Sequence, residues 1–419
     1  MIELQDITIT SLADNRCLLR DFNFILNEWD KVVIIGEEGN GKSTLLKLIY
    51  DEKLIEEYCE YTGRIQKRGV NIGYLEQEMD QSWYSKSVAM YTKSMEWGME
   101  LTKALSELRI NSDFLKSDKL ISKLSGGERL KLRLLKILSE CPDMLLLDEP
   151  TNDLDLATIE WLEEFINASM LPILYVSHDE TFIRKTANTI IHIEQVHRKT
   201  LPKYTIVRMD YDEYIKTRNS NLEKQTKIAQ KQHKEHESQQ DHWQQIWNKA
   251  EHQHQNVSRS DPRLQKKVKS LKAQKRRMDK EANDFLEVPD TEDSIYFHFN
   301  SELSVPKGKK VLEFSLDKLE IPTRLLAENI SLMVTGGEKI VIIGENGLGK
   351  TTLLKKMLED LSTSSLKIGY MPQNYEEVLD YKRRPIEYLV SSGDKDEITR
   401  AYTYMGSMKF TSDEMRHEI

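Results

Sequence analysis

The chain has 419 residues, 39% of them hydrophobic, and a net charge of −9. That length suits two or three domains. The longest apolar runs, Val32–Ile35 and Met144–Leu147, have the length of buried strands rather than the roughly 20 residues of a membrane span. Met1–Leu4 lacks the basic-then-apolar pattern of a signal peptide. Cys17, Cys59 and Cys141, odd in number and far apart, read as reduced thiols, so a cytoplasmic protein is expected.

In chain order, the first strong element is the apolar run Lys31–Ile35, followed by Gly36-Glu37-Glu38-Gly39-Asn40-Gly41-Lys42-Ser43-Thr44. The run is apolar on both faces, as a buried parallel strand should be, and Lys42–Tyr50 reads as a helix. The loop fits G-x4-G-K-[ST], in which glycines let backbone N–H groups turn toward phosphate oxygens and the helix adds its positive end. Lys42 is expected to reach the β- and γ-phosphates and Ser43 to ligate Mg²⁺. The same 17-residue pattern recurs 308 residues later as Lys339–Lys355, with a second loop Gly344-Glu345-Asn346-Gly347-Leu348-Gly349-Lys350-Thr351-Thr352. Strand, loop and helix (Lys350–Leu358) are expected there too, with Thr351 on Mg²⁺. Two copies of one nucleotide-binding domain explain the repeat most simply.

Between the loops, Val70–Leu75 reads as a strand leading to Gln77. Leu124-Ser125-Gly126-Gly127-Glu128 opens a helix over Arg129–Leu138, making a second phosphate-binding surface. Met144–Leu147 is a strand ending in Asp148-Glu149, where Asp148 can hold Mg²⁺ through water and Glu149 can polarise the attacking water. Ile173–Val176 is a strand leading to His178. In these features the chain resembles the ATP-binding-cassette superfamily. Gln77 matches its Q-loop, Leu124–Glu128 its signature, Asp148-Glu149 its Walker B motif, Asn152–Asp155 its D-loop and His178 its switch histidine, in the family's order over residues 1 to about 195. The resemblance implies ATP and Mg²⁺ as ligands, with Gln77 near the metal and Glu149 and His178 as catalytic residues. The family's usual adenine-stacking aromatic is missing from Ile7–Ser11, so ATP over GTP rests on the resemblance alone.

The stretch from about Tyr211 to Asp290 is polar, with almost no Gly or Pro. Ile215, Leu222, Ala229, Trp243, Ala250 and Val257 recur on sevens, with His236 interrupting. Leu264, Val268, Leu271, Met278, Ala282 and Phe285 recur at fours and threes, with Lys275 in the gap. These spacings are coiled-coil seams. Asn256–Pro262 breaks them, and Pro262 suits a first helical position, so an antiparallel helical hairpin with its tip near 254–262 is expected. Its first helix of about 40 residues would reach on the order of 60 Å. Asn256–Ala282 carries ten Lys and Arg against Asp261, Asp279 and Glu281, a balance of +7 that leaves −16 for the remainder. Arg259, Arg263, Lys266, Lys267, Lys269, Lys272, Lys275, Arg276 and Arg277 are therefore the candidate RNA contacts, through phosphate rather than base sequence. The bland alternative is a solvated charged spacer. His252 and His254 lack the partners of a metal site.

After the second loop, Ile368–Gln373 matches a second Q-loop at Gln373. The sequence to Ile419 contains no second signature, no second Asp-Glu strand end and no second switch histidine. Two cassettes, no membrane domain and a charged helical linker together resemble the ABC-F subfamily. That resemblance implies a protein that binds the ribosome, with residues 211–290 directed at rRNA and P-site tRNA, as a translation factor or in antibiotic protection. The expected fold is α/β, a P-loop NTPase ABC cassette complete at 1–210 and partial at 291–419, joined by an antiparallel α-helical hairpin at 211–290. Some 70–100 residues of the second cassette are expected to be missing. In the family each ATP lies between one cassette's phosphate loop and the other's signature, so Lys350 would face Ser125–Gly127. An intermolecular dimer of first cassettes would complete a site at Lys42. An importer's ATPase subunit also carries tandem cassettes, but with a short connector and a membrane partner. A non-catalytic RNA-binding protein is a third reading.

Overall fold

The computed structural model describes residues 2–67, 69–196, 201–256, 262–282, 306–321, 324–362, 368–372, 375, 378–390, 392–408, 410 and 415–418. They divide into two compact units: Met1–Leu120, Lys131–Asn152 and Leu162–Thr291 in the first, and Ile121–Leu130, Asp153–Trp161 and Glu292–Ile419 in the second.

The first unit opens with β1 (Ile2–Ser11), β2 (Cys17–Leu26), β3 (Lys31–Ile35), α1 (Lys42–Tyr50), β4 (Cys59–Gln66) and β5 (Ile72–Leu75). Helices α2 (Val88–Thr92), α3 (Met99–Glu107) and α4 (Gly126–Ser139) follow, then β6 (Met144–Asp148), α5 (Leu156–Ala168), β7 (Ile173–Val176), α6 (Glu180–Thr186), β8 (Thr189–Gln195) and β9 (Leu201–Val207), the first turns of α4 and α5 falling in the second unit. Two sheets result: an antiparallel one of order β2-β1-β4, and a six-stranded one of order β5-β6-β7-β3-β8-β9. In the latter all neighbours are parallel except β9. Strands β3, β6 and β7 are buried along almost their whole length, which is why they read as unbroken apolar runs. One core joins the two sheets, drawing Ile7, Ile9 and Phe22 from the antiparallel sheet, Leu45 and Leu48 from α1, and Ile34, Leu146 and Ile191 from the parallel one.

Helix α7 (Tyr211–Asn256) runs 46 residues, six more than the periodicity suggested, or roughly 69 Å at 1.5 Å per residue. Helix α8 (Pro262–Ala282) begins at the expected proline. The expected seam positions Trp243, Ala250, Leu271 and Met278 are buried together. Trp243 and Trp247 stack at 5.2 Å, and the Trp243 indole donates to the Leu271 carbonyl at 3.0 Å. Lys275 lies over Trp243 and Lys272 over Trp247, so partners descend in number as α7 ascends and the helices run antiparallel. Ala229 is buried, and Ile215 and Leu222 half-buried, on the lower part of the seam. Val257 and Phe285 lie outside the described residues.

The second unit contains the antiparallel hairpin of β10 (Lys310–Ile321) and β11 (Arg324–Thr335) and helix α9 (Lys350–Ser362), longer than expected. One expectation fails here. Residues 340–343 form no strand: Val341 and Ile343 are each 78% exposed. In the first unit β3 is hydrogen-bonded to β7 on one side and β8 on the other. Among the described residues no strand pairs with 340–343, and an apolar run without ladder partners cannot satisfy its backbone as a strand.

Candidate nucleotide-binding site

Strand β3 delivers the first loop and α1 carries it away. Gly41 caps α1 at φ 87°, where a Cβ would sit 3.1 Å from that of Leu18. At Gly36 a Cβ would lie 2.1 Å from the Ile193 carbonyl oxygen, so only glycine fits. Lys42 is folded over the loop, its Nζ donating to the carbonyls of Gly36 (2.8 Å) and Glu37 (2.9 Å). The second loop repeats this: Lys350 Nζ donates to Gly344 (2.6 Å) and Glu345 (2.9 Å). An anion entering either loop finds an ammonium already aimed across it.

Three parallel strands bring the remaining first-unit candidates together at their C-terminal ends. Ser43 Oγ donates to Asp148 Oδ1 at 2.8 Å, and the Tyr74 hydroxyl approaches Oδ2 at 3.4 Å. Asp148 is buried, which pushes its pKa up; the Ser43 hydrogen bond opposes this. Glu149, one residue past β6, adopts the left-handed region at φ 49°. Its Oε1 meets His178 Nε2 at 3.1 Å, and its Oε2 is buried without a hydrogen-bond partner among the described residues. Burial raises the Glu149 pKa, against the pull of His178 and Lys42. Desolvation lowers that of Lys42, with Glu149 the largest opposing charge. Such a cluster of buried, mutually opposed charges in one cleft is typical of a reactive centre. The donor set fits Mg²⁺: a hydroxyl and a carboxylate oxygen side by side are hard ligands that leave room for waters and phosphate oxygens.

Gln77 is exposed in the loop after β5. Its neighbours' carbonyls, at Glu76 and Glu78, both accept from the Arg133 guanidinium of α4. Burial lowers the Arg133 pKa. Among the other first-loop candidates, Asn40 is buried, Glu37 and Thr44 are half-buried, and Glu38 and Gly39 are exposed.

In the second unit Ser125 and Glu128 form a capping box. The Ser125 N–H donates to Glu128 Oε2 (2.8 Å) and the Glu128 N–H to Ser125 Oγ (3.1 Å). A Cβ on Gly126 would lie 2.3 Å from the Asp153 carbonyl and one on Gly127 2.4 Å from Thr158 Oγ1, so the two glycines admit the 153–158 segment. Asn346 of the second loop is held there: its N–H donates to Asp155 Oδ2 at 3.1 Å and its side-chain amide to the Asp153 carbonyl at 2.7 Å. Hydrogen bonds from Thr158 and Asn346 keep the Asp155 pKa low. Leu348 and Thr351 are exposed, Gly349 and Thr352 half-buried. Gln373 and Arg259 lie outside the described residues. Arg263 falls in α8, and Lys266, Lys267, Lys269, Lys272, Lys275, Arg276 and Arg277 are exposed along it.

Sequence reasoning missed Tyr74, Arg133, Asp155 and the side-chain use of Asn40. Only Asp155 had a signal, in the D-loop match; the other three depend on which strands adjoin.

A model of the ABC transporter family matches residues 19–152 and 327–413, more than half of the chain. The ATP-binding protein Uup of Buchnera aphidicola is 30% identical over 390 residues, 86% of this chain and 58% of that one. The ribosome protection protein VmlR of Bacillus subtilis is 29% identical over 88% of this chain and 65% of its own. ATP-binding cassette sub-family F member 3 of Rattus norvegicus is 32% identical over 63% and 35%. The chain spans about three fifths of the length of the first curated relatives it matches. No helix among the described residues is long and apolar enough to cross a membrane.

Proposed function

Because the chain belongs to the ABC transporter family, we propose that it is an ABC-F-type ATPase whose first cassette binds ATP with Mg²⁺ and whose linker acts on the ribosome. The observation that carries the ATPase reading is the meeting of Lys42, Ser43, Asp148, Glu149 and His178 at the ends of β3, β6 and β7. On binding, Lys42 exchanges its two loop carbonyls for β- and γ-phosphate oxygens, and the N–H groups of Gly39–Thr44 close around the same anion. Ser43 and Asp148 would hold the metal, which would supply charge neutralisation at the phosphates. Glu149 orients the attacking water and takes its proton; its raised pKa strengthens it as a base. His178, 3.1 Å away, fixes that carboxylate.

In the second loop Lys350 and Thr351 play the matching roles, with Ser125–Gly127 as the facing surface. Asn346 already hydrogen-bonds to Asp153 and Asp155, beside Gly126 and Gly127. The ribosomal reading is supported by the basic face of α8 and by similarity to VmlR, which is named as a ribosome protection protein. Its targets are rRNA and P-site tRNA, met through phosphate contacts; protection against an antibiotic is the further role this suggests. Co-sedimentation with ribosomes, with and without ATP, tests it. ATP-dependent pelleting of a Glu149→Gln chain is the expected result. Chain that stays in the supernatant throughout, while still binding ATP, rejects the ribosomal reading and leaves the ATPase one.

A further inference from the structure

The root of the long linker helix is fastened to the strand on which the first phosphate loop leans. In β8, Ile193 has its side chain in the main core, 1% exposed. Its neighbours His192 and Glu194 alternate to the other face. There the Tyr214 hydroxyl of α7 meets His192 Nδ1 at 2.7 Å, with the two rings edge to face. One helical turn further, Arg218 donates to Glu194 Oε1 at 2.6 Å. His192 is 6% and Tyr214 5% exposed. None of these four side chains enters the chemistry described above.

Between the two fastenings, the Ile193 carbonyl supports the loop. It accepts from Asn40 Nδ2 at 3.2 Å and lies against the backbone of Gly36. Two residues on, the Gln195 amide donates to the carbonyls of Cys17 and Leu18, and Leu18 packs beneath Gly41. A displacement of this strand end by a fraction of an ångström therefore moves the loop's first and last glycines together. Close-packed backbone with no Cβ between leaves no slack to absorb it.

We propose that Tyr214 and Arg218, at the root of the linker, are positioning residues for the first phosphate loop, so that nucleotide at the loop and docking of the linker root favour each other. The linkage rests on the reading that the first loop binds ATP. It is reciprocal: whatever the linker root adds to ATP affinity, ATP returns to the linker root. Removing the Tyr214 hydroxyl takes a hydrogen bond from buried His192, and removing the Arg218 guanidinium takes one from half-buried Glu194; either change loosens the hold on the strand.

The test is ATP titration, with Mg²⁺, of the wild-type chain and of Tyr214→Phe, Arg218→Gln and Tyr204→Phe. The last, on β9 opposite Ile193, removes a hydroxyl that bonds to the Asp21 carbonyl of β2 rather than to His192 or Glu194. Each relay variant should weaken ATP binding about fivefold, the fold-change expected for one net hydrogen bond, and Tyr204→Phe should not. Asn40→Ala combined with Tyr214→Phe should lose less than the product of the two single losses, because both act through the Ile193 carbonyl. In the wild-type chain, ATP should slow amide hydrogen exchange over residues 211–218, a readout that requires no variant to fold. A wild-type chain without ATP affinity overturns the nucleotide reading and the linkage with it. ATP affinity kept in both relay variants, with exchange over 211–218 indifferent to ATP, overturns the linkage alone.

Discussion

Glu149 holds a backbone conformation that side chains with a Cβ avoid, at a cost on the order of 1 kcal/mol. The turn hooks its carboxylate from the end of β6 toward His178, where Oε2 keeps no hydrogen-bond partner among the described residues. A strained residue presenting an unpaired buried oxygen is poised for a ligand. Glu149→Gln keeps the shape and removes the base. Phosphate release should fall about 100-fold or more, while ATP titration shows binding retained; turnover near that of the unmodified chain would remove Glu149 from the catalytic role. His192 makes a different prediction. Desolvation depresses its pKa to about 4, against the attraction of Glu194 and together with Arg218, Lys203 and Lys42. Its unfolded-state value is near 6.5, so the unfolded chain binds more protons below that pH. Stability should be full above pH 6.5 and fall as pH drops toward 4. Thermal unfolding between pH 7 and 4.5 checks this, with a shallower fall expected for His192→Gln.

At the scale of elements, the signature helix and the linker hairpin are held by specific close contacts. Gly127 lies against Thr158, and the Cβ of Gly127→Ala would meet both Oγ1 (2.4 Å) and Cγ2 (2.9 Å) of that side chain. A β-branched residue in a helix has little rotamer freedom to yield. The substitution should cost about 1–3 kcal/mol of stability, read from urea unfolding. In the hairpin, Trp243 is the largest buried side chain of the seam and also donates to Leu271 across it. Trp243→Ala removes packing worth about 3–5 kcal/mol and strands the Leu271 carbonyl. The helices should separate before the cassette unfolds, seen as early proteolysis between 211 and 282 at temperatures where the cassette resists. Cleavage unchanged from the unmodified chain would show that the seam does not depend on Trp243.

For the molecule as a whole, the uneven charge sets how a polyanion is met. Lys266, Lys267 and Lys269 are exposed, whereas Lys272 and Lys275 lie over the tryptophans of the seam. On the proposed ribosomal reading, changing the three to Gln should weaken ribosome binding and flatten its dependence on salt by up to about three phosphate contacts. An unaltered salt slope would place the RNA contact elsewhere. How much of this was legible in the sequence follows the range of the interactions. The glycine turns of the two phosphate loops, the apolar strands that lead to Asp148 and His178, and the hairpin's seam are local patterns, set by glycine freedom, helix period and apolar runs, and the chain alone determined them; the roles expected of Glu149, His178 and Leu124–Glu128 rest on the resemblance. The failure of Ile340–Ile343 to form a strand was not local, because a strand exists only by its neighbours' hydrogen bonds. The same holds for Tyr74 beside Asp148, Arg133 over the Gln77 loop, Asn346 on Asp155 and Tyr214 on His192. Each joins residues from 22 to 191 positions apart. No sequence period spans such separations; strand order and helix docking brought these partners together, and only the tertiary structure decided them.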